Sequence, residues 1–280
     1  MRRGCALLLV VIAGLLRAQD GQSGARPGWP CVPGRAVDPA YLEASESTGG
    51  QLFLFQKNEV AHVSLVVNAP HTHPATVLRA VGYLNGTRDF EFPVDSGIAS
   101  FLLLVSLQCR NGILVSRPSG SELTEANSAL SVDLQAGRIL RIDHPETGQW
   151  RVHLAGKGLF VLSVLASADT ALTGVTYSRS RGAANEEGHT SRMGTPLLGV
   201  QQEVEVHLTG QISQPRLQLV DATGNRVSDT GVLERTAECV YRTSLTPQAE
   251  RFRILVTGAD GSAWPFERMS PVLFRAEPPK

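Results

Sequence analysis

The chain has no surplus of either charge: 26 Lys and Arg stand against 26 Asp and Glu in 280 residues. Without a basic excess there is little to displace the counterions of a polyphosphate, so nucleic acid is not an expected partner. Cysteine is scarce. Cys5, Cys31, Cys109 and Cys239 are the four, with no C-x-x-C spacing, so neither a structural zinc site nor a dithiol redox motif is expected. No apolar run reaches the roughly 20 residues that a membrane helix takes, so no membrane span is expected. A Gly-x-Ser-x-Gly elbow is missing, and Gly49-Gly50 lacks the lysine and spacing of a phosphate loop. These absences point to a chain that is no enzyme and holds neither cofactor nor metal. Its stability must come from apolar burial, for which 42% hydrophobic residues suffice.

What is present begins with an export signal. Arg2 and Arg3 precede the apolar stretch Cys5 to Leu16, and Leu16-Arg17-Ala18 is an acceptable cleavage site. Residues 1–18 are therefore read as a signal peptide and the rest as a secreted, extracellular protein. Cleavage would leave Cys31, Cys109 and Cys239, which allow at most one disulfide and one free thiol. Asn85-Gly86-Thr87 is an acceptor for N-glycosylation at Asn85.

Residues 19–37, rich in Gly, Pro, Arg and Ser, read as a flexible leader. A short α/β stretch follows over 38–75. Asp38 caps a predicted helix with Pro39 at its first position, and Gly49-Gly50 stops it. Gln51 to Phe55 reads as an apolar strand, and Glu59 to Val67 as helix or strand. From residue 76 the period changes to two, with strands predicted near 88–94, 99–107, 112–116, 130–134, 139–142, 149–154, 158–167 and 173–179. Asn111-Gly112 reads as a hairpin and Gly156-Lys157-Gly158 as a second turn. Phe101 to Val105, apolar on both faces, reads as a central strand covered from both sides. Residues 181–195 have no apolar period and read as a linker. A second β block is predicted over 196–277, with strands near 202–209, 215–220, 237–242, 250–257 and 269–275. There Val204, Val206 and Leu208 alternate, as do Leu217 and Leu219, and Phe252, Ile254 and Val256. One side should face a core and the other water. About 80 residues with such strands suit an immunoglobulin-like sandwich, here without its paired cysteines. The fold class expected is thus mainly β, two β-sandwich domains in series after a short α/β piece.

Residues that invite chemistry are few. His71 and His73 could place two imidazoles on one side of an extended segment, with His62 nearby in sequence, but solvated loop histidines are the more ordinary reading. Asp143-His144 lacks a serine at any recognisable motif spacing. Trp150, entering a strand after Pro145 and Gly148, reads as a structural tryptophan ahead of a sugar-stacking platform. Glu186-Glu187 reads as solvation, and Arg179, Arg181 and Arg192 give the linker a weak basic character.

Three segments together carry a family resemblance. Thr48-Gly49-Gly50-Gln51-Leu52-Phe53, within Tyr41 to Phe55, resembles the last helix-turn-strand of a von Willebrand A domain. Phe90-Glu91-Phe92-Pro93-Val94-Asp95, then 99–107, then His144-Pro145-Glu146-Thr147-Gly148-Gln149-Trp150-Arg151-Val152, resembles a galactose-binding-like β-sandwich. Ile254 to Gly261 with Phe266-Glu267-Arg268-Met269-Ser270 resembles the end of an immunoglobulin-like module. In that order they resemble the hemicentin and von Willebrand factor A domain-containing protein 7 family, over roughly residues 40–276. The resemblance implies a galactose-binding-like jelly roll over 76–180, an immunoglobulin-like sandwich over 196–277, and at 38–75 only the end of an A domain. The adhesion metal motif, Asp-x-Ser-x-Ser, would belong to the part of that domain not represented, and Asp95-Ser96-Gly97 does not match its spacing, so no metal ligand is carried over. The function expected is a secreted, non-catalytic extracellular-matrix or adhesion protein, with extracellular proteins or matrix components as partners. The alternative is a carbohydrate or small-ligand binder, a glycan held by the first sandwich.

Overall fold

The computed structural model describes residues 12–13, 37–55, 57–62, 64, 74–124, 128–178 and 195–279, and is mainly β with antiparallel sheets. Its first elements follow the local chemistry. Strand β1 (Ile12–Ala13) pairs in parallel with β2 (Leu54–Phe55). Between them, helix α1 (Pro39–Thr48) starts where Asp38 Oδ1 accepts from the Ala40 N–H at 2.9 Å and ends at Gly49, left-handed at φ 73°. The predicted cap, first-position proline and stop all fall in place. A 3-10 turn, Lys57–His62, follows β2.

The first block comprises β3 (Pro74–Val94), β4 (Ile98–Ser116), β5 (Leu130–Leu134), β6 (Gly137–Asp143) and β7 (Gly148–Ala168), in the sheet order β3-β7-β4-β6-β5. Three of these strands are far longer than an ordinary strand: β4 and β7 each join two predicted strands into one, and β3 extends the strand predicted near 88–94 back to Pro74. Asn111-Gly112 is not a hairpin turn. It lies inside β4, where the register shifts between Arg110 and Gly112. Gly156 and Gly158 likewise do not reverse the chain but lie inside β7, with φ of 156° and 99°. The irregularities sit opposite one another: Cys109 pairs with Lys157, Gly112 with Ala155, and Gly86 of β3 with Gly156. Aligned bulges and glycines bend a whole sheet where an isolated turn would end it.

The size of the bend follows from one contact. Phe101 pairs with Ala166, which lies 16 residues along β7 from Trp150. On a flat strand that is about 50 Å, at roughly 3.3 Å per residue. The Phe101 and Trp150 rings are 5.1 Å apart, centre to centre, and Phe92 meets Phe101 at 5.6 Å. The sheet is therefore folded back on itself, and its inner faces share one core. A bulge between Thr76 and Leu78 corrects the phase, so that Ala75 and Val77 before it and Leu78 and Ala80 after it all point inward.

The outer face of the same sheet is covered in part. Leu102, Leu104, Ile139 and Leu165 pack under Phe53 and Phe55, while Val81, Leu159 and Val161 pack under Leu52. The Leu54 N–H donates to Ser106 Oγ at 3.0 Å. Phe101 to Val105 are thus buried on both faces, as their composition predicts, and the segment that carries β2 supplies the second cover.

The second block contains β8 (Leu172–Ser178), β9 (Gln202–Leu208), β10 (Ile212–Val220), β11 (Arg226–Val232), β12 (Glu234–Ala237), β13 (Val240–Leu245), β14 (Arg251–Asp260), β15 (Pro265–Met269) and β16 (Phe274–Arg275). One sheet has the order β12-β13-β9-β8, the other β11-β10-β14-β15, with β16 also pairing β14. β8, expected in the first sandwich, pairs instead with β9. The second block thus begins three residues after β7 ends, ahead of the segment read as a linker, of which 181–194 lie outside the described residues. Val204, Val206, Leu208, Leu217, Leu219, Phe252, Ile254 and Val256 form its core as predicted.

The other side of β14 does not face water. Arg253 and Leu255 are buried, and Leu255 joins Val220 and Met269 in the first block's core. The alternation of β14 is real, but both of its faces have a protein neighbour.

Candidate functional site

The seam between the blocks is built of charges that the strand pattern would place at the surface. Glu46, on α1, lies between two buried guanidiniums. Its Oε1 accepts from Arg79 Nη2 at 2.9 Å and Nε at 3.2 Å, and its Oε2 accepts from Arg253 Nη2. Arg79 and Arg253 are fully buried and Glu46 nearly so. Arg79 also donates to the Ser45, Gly49 and Gly50 carbonyls at 3.1, 3.2 and 2.7 Å. It thereby satisfies acceptors that the helix end leaves open and sits at the negative end of the helix dipole. Arg253 Nε and Nη1 find no acceptor among the described residues. Burial pulls its guanidinium below the usual range, against the attraction of Glu46.

A second part of the seam lies at the β3–β4 turn. Arg268 Nη1 is 2.7 Å from Asp95 Oδ2, an ion-pair distance off the line of a hydrogen bond, and its Nε donates to the Thr170 carbonyl at 2.6 Å. Asp260 Oδ2 accepts from the Ser96 N–H at 2.9 Å and from its hydroxyl at 2.5 Å, while Oδ1 accepts from the Ser262 and Trp264 N–H groups. Asp221 closes its own turn by accepting from Thr223 and Asn225. That turn docks on the kink of β3: the Val81 N–H donates to the Ala222 carbonyl at 2.7 Å, and Arg88 donates to the Thr223 carbonyl and to Asn225 Oδ1. Burial pushes both carboxyls up, but these hydrogen bonds outweigh it and hold Asp221 and Asp260 below the usual range. This geometry fixes two blocks together. Its carboxylates are engaged in closing turns and pairing charges.

The uncovered half of the folded sheet offers a different surface. Past the edge of the N-terminal cover its outer face turns from apolar to charged. Asp89 pairs with His153 at 2.6 Å and Glu91 with Arg151 at 2.7 Å. At the boundary stand Tyr83, 75% exposed, and the sequon Asn85-Gly86-Thr87, exposed throughout. Tyr83 carried no motif of its own; only its spacing of two from Asn85 marks it in the sequence. Elsewhere Val227 and Val232 are exposed on β11, the outermost strand of its sheet, and Trp264 is exposed at the β14–β15 turn.

The other flagged residues divide clearly. Cys109 is disulfide-bonded and Cys239 is a free, exposed thiol; Cys31 lies outside the described residues. So do His71, His73, Arg179, Arg181, Glu186, Glu187 and Arg192, and His62 ends the 3-10 turn. Asp143 accepts from Arg141 at 2.9 Å. Trp150 is buried, with its indole N–H donating to the Glu146 carbonyl at 2.8 Å, so it offers no platform to a sugar. Among the described residues no three metal-ligating side chains cluster.

No protein-family model matches the chain, and no curated protein matches it. Among solved structures it is similar to the Bacillus licheniformis lipase BlEst2 in its propeptide form, at 13% identity and a TM-score of 0.35, over 77% of this chain and 47% of that one. It is also similar to a Bifidobacterium dentium β-glucuronidase complexed with coumarin-3-O-glucuronide, at 10% identity and a TM-score of 0.25, over 68% of this chain and 40% of that one. A Bacteroides uniformis β-glucuronidase matches at 9% identity and a TM-score of 0.25, over 69% and 27%. The chain spans less than half the length of each of these proteins, and likenesses of this strength assign it neither fold nor activity.

Proposed function

We propose that the chain is an exported, non-catalytic interaction protein of the extracellular space, of the matrix or adhesion kind, which meets partners through strand edges and loops. The disulfide at Cys109 carries this reading, because disulfides persist in oxidising compartments. The apolar stretch after Arg2-Arg3 and the exposed sequon agree with it. Two features of the second block suit contact with another protein. β11 is an edge strand with exposed Val227 and Val232, and an uncovered edge can accept a partner's strand. Trp264 adds an aromatic anchor at a turn.

The sheet orders β12-β13-β9-β8 and β11-β10-β14-β15 support an immunoglobulin-like sandwich for the second block, since β8, β9, β13 and β12 fall in the places of strands A, B, E and D, and β10, β14 and β15 in those of C, F and G, with β11 an added strand beside C. The galactose-binding-like reading of the first block, and membership of the hemicentin and von Willebrand factor A domain-containing protein 7 family, rest on the three resembling segments.

The test is expression of the C-terminally tagged chain in secreting mammalian cells, followed by proximity labelling on tissue from the recovered protein. The tag is expected in the medium, and a Val227→Lys, Val232→Lys double variant should lose labelled partners while still being secreted. Retention of the tag wholly inside the cells overturns export. Unchanged labelling by the double variant removes the β11 edge from the account.

A further inference from the structure

Tyr83 is the most exposed of the large apolar side chains described. A single exposed aromatic needs no explanation by itself; its position does. The pairing of β3 with β7 runs without a shift past this point: Tyr83 opposite Leu159, Asn85 opposite Lys157, Thr87 opposite Ala155. Residues two apart on a strand share a face at a spacing of about 7 Å. Tyr83, Asn85 and Thr87 therefore stand in a row on the outer face. On the same face Val81 and Leu159 are buried with Leu52, so Tyr83 is the first apolar residue beyond the cover. Beyond it the face carries the pairs Asp89–His153 and Glu91–Arg151, with Leu114 opposite His153. Asn85, Gly86 and Thr87 are all exposed, so the sequon stands open to solvent. Across the strands, Gly86 pairs with Gly156 on the line along which the sheet bends.

The first sugar of an N-linked glycan is an N-acetylglucosamine. One face of its ring is lined by C–H groups, and it carries an acetyl methyl. Both are apolar and the right size to lie on a phenol ring, whose face carries partial negative charge that favours C–H contacts. Attached to the Asn85 amide, this sugar begins within a side chain's reach of the Tyr83 ring. We propose that Tyr83 is the seat of the first N-acetylglucosamine on Asn85, so that the modified Asn85 and the Tyr83 ring pack as one unit over the bend of the sheet. The glycan then completes the cover that the N-terminal segment begins, and it stabilises the bend. This rests on the reading that the chain is exported and modified at Asn85.

The test uses full-length protein secreted from mammalian cells, as wild type, Tyr83→Phe, Tyr83→Ala and Thr87→Ala, with Asn85 occupancy read by glycopeptide mass spectrometry. Each glycosylated protein is melted with its whole glycan and after trimming to a single N-acetylglucosamine. Against the unglycosylated Thr87→Ala protein, the wild type and Tyr83→Phe should melt about 2–4 °C higher, the shift that a modest packing gain gives in a chain of this size. The gain should survive trimming. In Tyr83→Ala it should vanish when referred to the Tyr83→Ala, Thr87→Ala double variant, which completes the cycle. A second measurement needs no variant: the acetyl methyl proton resonance of the trimmed wild type should move upfield in the ring current of Tyr83. An occupied Asn85 whose glycan stabilises Tyr83→Ala as much as wild type, with an unshifted methyl, overturns the role of Tyr83 alone. An unoccupied Asn85 in secreted wild type overturns the modification and the proposal together.

Discussion

Glu46 holds two fully buried arginines apart, one from each β block. A buried ion pair adds little over apolar packing, but removing one partner strands the other. Glu46→Gln should therefore cost about 3–5 kcal/mol, read as a lower urea midpoint. Glu43, only three residues away, pairs with Arg251 on the surface, so Glu43→Gln should cost under about 1 kcal/mol. None of this was legible in the sequence. Arg79 interrupts the apolar run Val77 to Val81, and Arg253 alternates with Phe252 and Ile254, so each reads as a solvent-facing charge. Glu46 lies 33 residues from Arg79 and 207 from Arg253, and no local pattern connects residues so far apart. By contrast Asp38, Pro39 and Gly49 act on their own neighbours, and their roles could be read directly. The exposed sequon was equally legible; Tyr83 beside it was not, because its meaning comes from the register of β3.

Strand alternation was legible along both blocks; the places where strands bend were misread as places where they end. Asn111-Gly112 and Gly156-Lys157-Gly158 would look the same in a hairpin and in a bulge. What separates them is the neighbour across the sheet, since the irregularities of β4 face those of β7. The bend depends on that alignment. A Cβ at Gly156 would lie 2.2 Å from the Cys109 carbonyl oxygen and 2.7 Å from Leu107. Gly156→Ala should therefore force the strands apart and lower the thermal midpoint, well beyond the effect of Gly112→Ala, where the nearest atom is 3.9 Å away. Equal melting of the two variants would show that the bend does not need this close approach.

For the molecule as a whole, the expectation of two bodies in series missed how much they share. β14 has one face in each core, β8 follows β7 after three residues, and α1 touches both blocks. The shared seam should respond to acid. Hydrogen bonds hold the Asp221 and Asp260 carboxyls below the usual aspartate range, so the stability they contribute is fully present above that range and is lost as pH falls through their lower, folded-state values. Glu267, raised by burial against the pull of Arg226, works in the opposite sense, favouring the folded state as it protonates. Thermal melts between pH 7 and pH 2 should show a steep loss below about pH 4, and Asp260→Asn should flatten that slope. The folded sheet has one more consequence. Each of its three long strands passes through both layers, so no single cut separates one layer from the other. No proteolytic fragment of the first block inherits an intact half: the block survives digestion whole or is degraded entirely.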